Sequence, residues 1–366
     1  MIHVSPTLSP TTFFKSLFSS KKNYLQDIHQ FSYVRGALIA AIFSIKKSKN
    51  LSSFPTVWAP AFICDTVFLL FESYGIPYKL YPITEDLLPD WKTVNHLNFK
   101  ENDIFLLVYF FGFPMGIDEA KELCHTKELS LVEDCAHSII SHIKPNGIGT
   151  HGDAAVFGLR KALPLPHGGF LYMKKIPFER PHSVSESASI YRSPLKMLIQ
   201  WAFCKLKLKW SKSTPPIKKG ELSTFPDNYA LFDFLEEMSP LSRKITNSIK
   251  IDNIIELRRN NYEIYHKSLR PIKEVRIPST LTLENEQTTP WVFFFFSEQA
   301  EELINYLRRF NIPAIDFPTL HVPILNNEEF KFENSLYKQS VCLPVHQDIG
   351  KKEISFIIQK VKSFFS

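Results

Sequence analysis

The chain has 366 residues, of which 44% are hydrophobic and 22% charged, with only 12 glycines. This composition excludes a wholly disordered chain and a collagen-like or glycine-linker architecture, and the length predicts two domains, or one large and one small. The 43 basic and 37 acidic residues are interspersed and leave a net charge of +6, which argues against a dedicated nucleic-acid binder with its clustered basic face.

Residues 1–30 read as a loosely structured leader. Lys15, Lys21 and Lys22 interrupt short apolar pieces, so no signal-peptide core is expected. Val34–Ser44 is apolar and Ala-rich, which predicts a buried helix. Strands Thr56–Trp58 and Tyr78–Tyr81 flank a helix over Ile63–Tyr74, which Gly75 would stop. Asp103–Phe110 is a continuous apolar run, the mark of a strand buried on both faces in a parallel sheet. Ile117–Glu128 follows as a charged amphipathic helix. Ser130–Glu133, Ala154–Phe157 and Phe170–Met173 read as further strands. Strands alternating with helices imply an α/β fold, a mostly parallel central sheet flanked by helices.

The pattern then changes. Residues 191–212 are basic and amphipathic, and Thr214–Lys219 reads as a linker. The basic stretch is expected to be a solvated face with an apolar underside, with a membrane-surface or anionic-substrate contact as the alternative. Pro240 to Pro271 encloses a segment without Gly or Pro, which predicts one long helix between two lobes. A smaller α+β lobe follows, with strands Val292–Phe296 and Val341–Leu343 and helices Glu298–Phe310 and Lys351–Phe365. The expected organisation is a leader (1–30), a large α/β domain (31–190), a basic connection (191–239), and a long helix with a small C-terminal domain (240–366). Five irregularly spaced cysteines argue against a disulfide framework. The run Ile104–Ile117 spans 14 residues, short of the roughly 20 that a membrane helix needs. A cytoplasmic protein is expected.

In a parallel sheet, ligands bind beyond the carboxyl ends of the strands. Phe111–Gly112, Asp134–His137 and Gly158–Lys161 all fall there. A cofactor with a pyridine nitrogen at one end and an aldehyde at the other needs a carboxylate and a lysine. Asp134 and Lys161 are such a pair, and a turn-capping Asp beside a surface Lys satisfies the same spacing. Gly147–Gly152 matches a G-x-G-x-x-G pattern, but it precedes a strand instead of following one, so a dinucleotide loop is not expected. Cys124, His125, Cys135 and His137 lack zinc-ligand spacing, and no metal is expected.

Several ordered segments decide between the readings: VWAPAFICDTV at 57–67, LLVYFFGFPMGI at 106–117, VEDCAHS at 132–138, GTHGDAAVFGLRKALPLPHGG at 149–169, RRNNYEIYHKSL at 258–269 and LPVHQDI at 343–349. Together they resemble the DegT/StrS-type sugar aminotransferases. The resemblance implies a fold of type I, the aspartate-aminotransferase fold, with pyridoxal 5'-phosphate as cofactor. It implies that Lys161 forms the Schiff base, Asp134 pairs with the ring nitrogen, and His137 stands near the ring hydroxyl. Arg35-Gly36-Ala37 would open a helix whose amides hold the phosphate. Apart from the resemblance, His346 in LPVHQ reads as a structural loop residue, with a substrate contact between lobes as the alternative. Gly158 stands where relatives carry a phosphate-binding Ser, Cys64 where many carry a stacking aromatic, and His167 where an acidic residue is frequent. Retention of Lys161 favours transamination over dehydration. The implied activity moves an amino group from an amino acid, glutamate by analogy, to a nucleotide-linked keto sugar, in glycan or secondary-metabolite biosynthesis, by a homodimer. A catalytically silent binding or assembly module and another α-carbon reaction are the alternatives.

Overall fold

The apolar runs assemble, in the computed structural model, into one seven-stranded sheet and a separate two-stranded one. The structure describes residues 6–18, 28–140, 143–178, 198, 202, 235–318 and 327–366. The large sheet contains β1 (His29–Phe31), β2 (Val57–Pro60), β3 (Tyr78–Tyr81), β4 (Ile104–Val108), β5 (Ser130–Cys135), β6 (Ala154–Phe157) and β7 (Gly169–Met173). Its order is β1-β7-β6-β5-β4-β2-β3. Strands β2 to β6 are parallel, β7 runs antiparallel to β6, and β1 antiparallel to β7. The α/β expectation and the mostly parallel sheet therefore hold. Every residue of β2, β4, β5 and β6 is buried, as strands covered on both faces require.

Helices pack around this sheet: α1 (Pro10–Leu17), α2 (Val34–Ser48), α3 (Thr66–Ser73), a short α4 (Trp91–Val94) and α5 (Ile117–Thr126). The C-terminal lobe comprises α6 (Pro240–Ser248), α7 (Ile251–Leu269), β8 (Val292–Phe296), α8 (Ala300–Arg309), α9 (Lys331–Gln339), β9 (Ser340–Pro344) and α10 (Lys351–Phe365). β8 and β9 pair antiparallel. Among the described residues no helix is long and apolar enough to cross a membrane.

Three differences from the sequence reading have physical causes. The expected leader contains a helix: Ser9 Oγ accepts from Thr12 N at 3.1 Å, Pro10 opens α1, and α1 packs on α6. The leader also ends in β1, which extends the sheet beyond β7. The single long helix is two helices, because Ile249 is extended (ψ 136°). Thr246 and Ser248 hydroxyls donate to the Ser242 and Ile245 carbonyls, bonds that compete with the helical ladder at this end, and Ile249 and Ile251 are both buried. The basic stretch 191–212 lies outside the described residues apart from 198 and 202, and Thr214–Lys219 lies wholly outside them.

The two lobes meet through the end of β4. Trp291 N donates to Phe111 O (2.8 Å), Thr289 N to Gly112 O (3.3 Å), and Ile139 N to Thr289 Oγ1 (2.7 Å). Phe111 is held at φ +56° and Gly112 at φ +92°. For a phenylalanine this costs on the order of 1 kcal/mol or more, and the bonds from the C-terminal lobe hold it there.

Candidate active site

Adjacent acidic residues on β5 face opposite sides of the strand. Glu133 accepts four hydrogen bonds: Tyr109 Oη at 2.8 Å, and the amides of Gly149 (3.0 Å), His151 (2.8 Å) and Gly152 (2.7 Å). The glycine-rich loop at 147–152 thus wraps a carboxylate. Asp134 faces the other side and lines a cavity of about 350 Å³. Its Oδ1 accepts Ala136 N at 2.9 Å. Burial pushes its carboxyl above the ordinary value, opposed by Lys161 and the Ala136 amide.

The cavity gathers the ends of four parallel strands, β2, β4, β5 and β6, which contribute Cys64, Val108, Asp134 and Lys161 among its walls. The chain leaves β2 to one side for β3 and crosses back to β4 on the other, so this is the switch point where open α/β sheets bind ligands. Lys161 ends a single 3-10 turn after β6, closed by Ala162 N to Leu159 O at 3.0 Å. Its side chain is half-buried. Burial lowers its pKa to about 8, against the opposing pull of Asp134 and Cys64, with Arg160 and Arg35 lowering it further. About a tenth of such an amine is unprotonated at pH 7. Cys64 receives the Thr66 hydroxyl at 3.2 Å, and burial with Asp65 raises its thiol pKa.

His137 is buried on the cavity wall. Phe111 N donates to its Nδ1 at 3.2 Å. Burial, then Lys161, pushes its pKa well down, so the ring is neutral. With Nδ1 accepting, the proton sits on Nε2. That donor has no hydrogen-bond partner among the described residues. Trp291 stacks on the His137 ring at 4.3 Å, and its own ring lies 5.3 Å from Lys161 Nζ. Phe317 meets both rings edge-on, at 5.3 Å from His137 and 5.9 Å from Trp291.

The start of α2 also borders the cavity, without a side-chain cap or an acidic residue in its first turn. Arg35 lines the cavity, as does Arg160, and both guanidinium groups lie near the Tyr33 ring, at 5.8 and 5.6 Å. Gly36 and Ala37 are buried off the wall, and their amides donate to Tyr33 O (3.1 and 3.3 Å). Gly158 lines the cavity where a Cβ would run into Ala136 O. His346 is buried in the turn from β9 to α10, its carbonyl bonded by Asn261 (3.3 Å) and Ile349 N (3.0 Å), and it does not line the cavity. The structure thus brings together Asp134, His137, Gly158, Lys161 and Arg35. Trp291, Phe317, Asp316 and Tyr33 also line the cavity and were not singled out from the sequence. The one signal for Trp291 was a bulky aromatic between Pro290 and the apolar run of β8.

These residues fit the flat, acidic cofactor that the resemblance implies. A carboxylate and an amine share one cavity, and its walls include His137, whose Nε2 is an orphaned buried donor, and the cations Arg35 and Arg160. Residues 84–173 match the DegT/DnrJ/EryC1/StrS aminotransferase family. The resemblance read from the sequence stands on that match. The chain is 19% identical over 272 residues to a GDP-perosamine synthase of Escherichia coli, covering 71% of this chain and 65% of that protein. It is 22% identical over 273 residues to a UDP-4-amino-4,6-dideoxy-N-acetyl-beta-L-altrosamine transaminase of Campylobacter jejuni, covering 70% and 66%. The alignments thus span about two-thirds of these curated relatives. Among solved structures, a putative sugar aminotransferase of Streptococcus pneumoniae in its PMP form superposes with a TM-score of 0.68 at 12% identity, covering 100% and 99% of the two chains. Helicobacter pylori PseC, an aminotransferase of pseudoaminic acid biosynthesis, gives 0.66 at 13%, covering 99% and 98%. The fold is the one shared by these sugar aminotransferases.

Proposed function

We propose that this chain is a pyridoxal 5'-phosphate-dependent aminotransferase that moves an amino group from an amino acid, glutamate by analogy, to a nucleotide-linked keto sugar. The observation that carries the reading is the convergence of Asp134 and Lys161 on one cavity, each shifting the other's ionisation. The nucleotide-linked sugars named for the two curated relatives support the substrate class.

When bound, the cofactor's protonated ring stores the electron pair released at the substrate carbon. The residues of this chain do the rest. Asp134 holds the proton on the ring nitrogen. His137 would offer Nε2 as a donor to the ring oxygen, and Trp291 and Phe317 pack against the His137 ring. Lys161 Nζ would move the proton between the substrate carbon and the carbon of the cofactor's aldehyde. Holding the amine beside that carbon supplies effective molarity worth up to about 7–11 kcal/mol in well-oriented cases. Arg35, Arg160 and the amino end of α2 favour the phosphate. The enzyme acts in the cytoplasm as a homodimer, in glycan or secondary-metabolite biosynthesis, with 31–190 as the cofactor domain and 240–366 as the smaller one.

Purified protein is expected to be yellow, and borohydride to fix the cofactor on the peptide containing Lys161. K161A should lose the colour-fixing step. Keto sugars linked to nucleoside diphosphates should accept the amino group from glutamate. A colourless protein that takes up no added pyridoxal phosphate overturns the reading.

A further inference from the structure

Arg258 lies in the middle of α7 and is among the largest fully buried side chains. Burying a guanidinium is costly unless its donors are satisfied. Four hydrogen bonds satisfy it here, and none goes to a carboxylate. Nη2 donates to Ala162 O at 3.0 Å, Nη1 to Pro290 O and Trp291 O at 3.1 Å each, and Nε to Gln347 Oε1 at 3.1 Å. Gln347 Nε2 in turn donates to the same Ala162 carbonyl at 3.3 Å.

These acceptors are not scattered. Ala162 directly follows Lys161. Trp291 carries the ring that lies 5.3 Å from Lys161 Nζ and stacks on His137 at 4.3 Å. Gln347 belongs to the turn after β9. One planar cation therefore ties the lysine loop of the large sheet to the aromatic loop of the C-terminal lobe, with Gln347 as a second brace. A carboxylate in place of these carbonyls would have made the buried charge cheaper but would not have joined the loops.

We propose that Arg258 is the positioning residue of this site, a clamp that holds the Lys161 loop and the Trp291 loop in one register and so keeps Lys161 Nζ under the Trp291 ring and away from water. The inference deepens the reading of Lys161 as the reacting amine. It concerns the side chain's geometry, which is present without any ligand.

Of the groups facing Lys161, Asp134 and Cys64 raise its pKa and Arg160 and Arg35 lower it, with burial the largest influence, and the His137 imidazole shares its cavity. Loosening the clamp leaves those charges in place and admits water. The readout is the pH dependence of Lys161 acetylation by acetic anhydride, counted on its peptide, in the full chain without cofactor. Wild type should show a midpoint near 8. R258K keeps the charge but cannot reach four acceptors, and Q347L removes only the brace. Both should move the midpoint upward, and a rise of one unit slows labelling at pH 8 by about fivefold. R258K should shift more than Q347L. A residue that merely supports the fold would lower the melting temperature and leave the midpoint of the folded molecules unchanged. Unchanged midpoints in both variants, with Q347L folded, overturn the proposal. Because labelling needs neither cofactor nor turnover, a failed aminotransferase assay leaves this test intact.

Discussion

Replacing Asp134 with Asn separates two jobs that one carboxylate is read as doing. Lys161 sits at about 8, below its ordinary value of 10.5, because burial outweighs the pull of Asp134. At that value about 9% of the amine is free at pH 7 and about half at pH 8, so aldehyde capture should rise roughly tenfold between pH 7 and 9 and then level. An ordinary surface lysine would rise roughly a hundredfold over the same window without levelling. Asp134 is the largest influence that raises the Lys161 pKa. An opposite charge at close range is worth about 1–3 units, so D134N should drop the midpoint to about 7 or lower. Capture of pyridoxal phosphate at pH 7, followed by stopped-flow absorbance, should then be about fivefold faster in D134N than in wild type. Catalysis should nevertheless collapse, since nothing keeps the ring nitrogen protonated. A D134N midpoint at or above that of wild type, or a wild-type midpoint near 10.5, would refute the coupling.

Three further outcomes follow from the geometry. E133Q places an NH2 group where two donors now meet a carboxylate oxygen, so it should cost about 3–5 kcal/mol of stability in urea unfolding. A loss below about 1 kcal/mol would contradict the wrapped-carboxylate account. G158S cannot supply a phosphate-binding hydroxyl without pushing its Cβ into Ala136 O. It should lower stability by about 1–3 kcal/mol and weaken cofactor uptake, and tighter uptake would show that the loop yields freely. The double variant D134N/K161M tests the charge strain between these groups and their buried surroundings. The raised Asp134 pKa gives stability present at low pH and lost as pH rises through its folded value. The lowered Lys161 pKa gives stability present above 10.5 and lost as pH falls through about 8. Both groups therefore cost stability at pH 7, and the double variant should melt a few degrees higher there. An equal or lower melting temperature at pH 7 would disprove it.

Much of the large sheet was legible because its strands are short apolar runs separated by helices of about a dozen residues. β4 and β6 fall where the runs at 103–110 and 154–157 put them. β1 was not legible, since the three residues that pair with β7 are too few to carry a periodicity. The break between α6 and α7 was hidden for a related reason. No Gly or Pro marks it, and at the break Ile249 leaves the helical conformation while staying buried.

By itself the sequence determined the strand ends, and with them the placement of Asp134, His137 and Lys161 on one edge of a parallel sheet. That follows from local pattern, because a residue's position along a strand depends on its neighbours in the chain. Only the tertiary structure decided that Trp291 and Phe317 roof the same cavity, that Gly36 and Ala37 stand behind its wall, and that Arg258 ties its two halves together. Those relations join residues far apart in the chain, as from Arg258 to Ala162 across 96 positions. They depend on how the lobes pack, and packing is set by the three-dimensional fit of buried side chains, which no local spacing encodes.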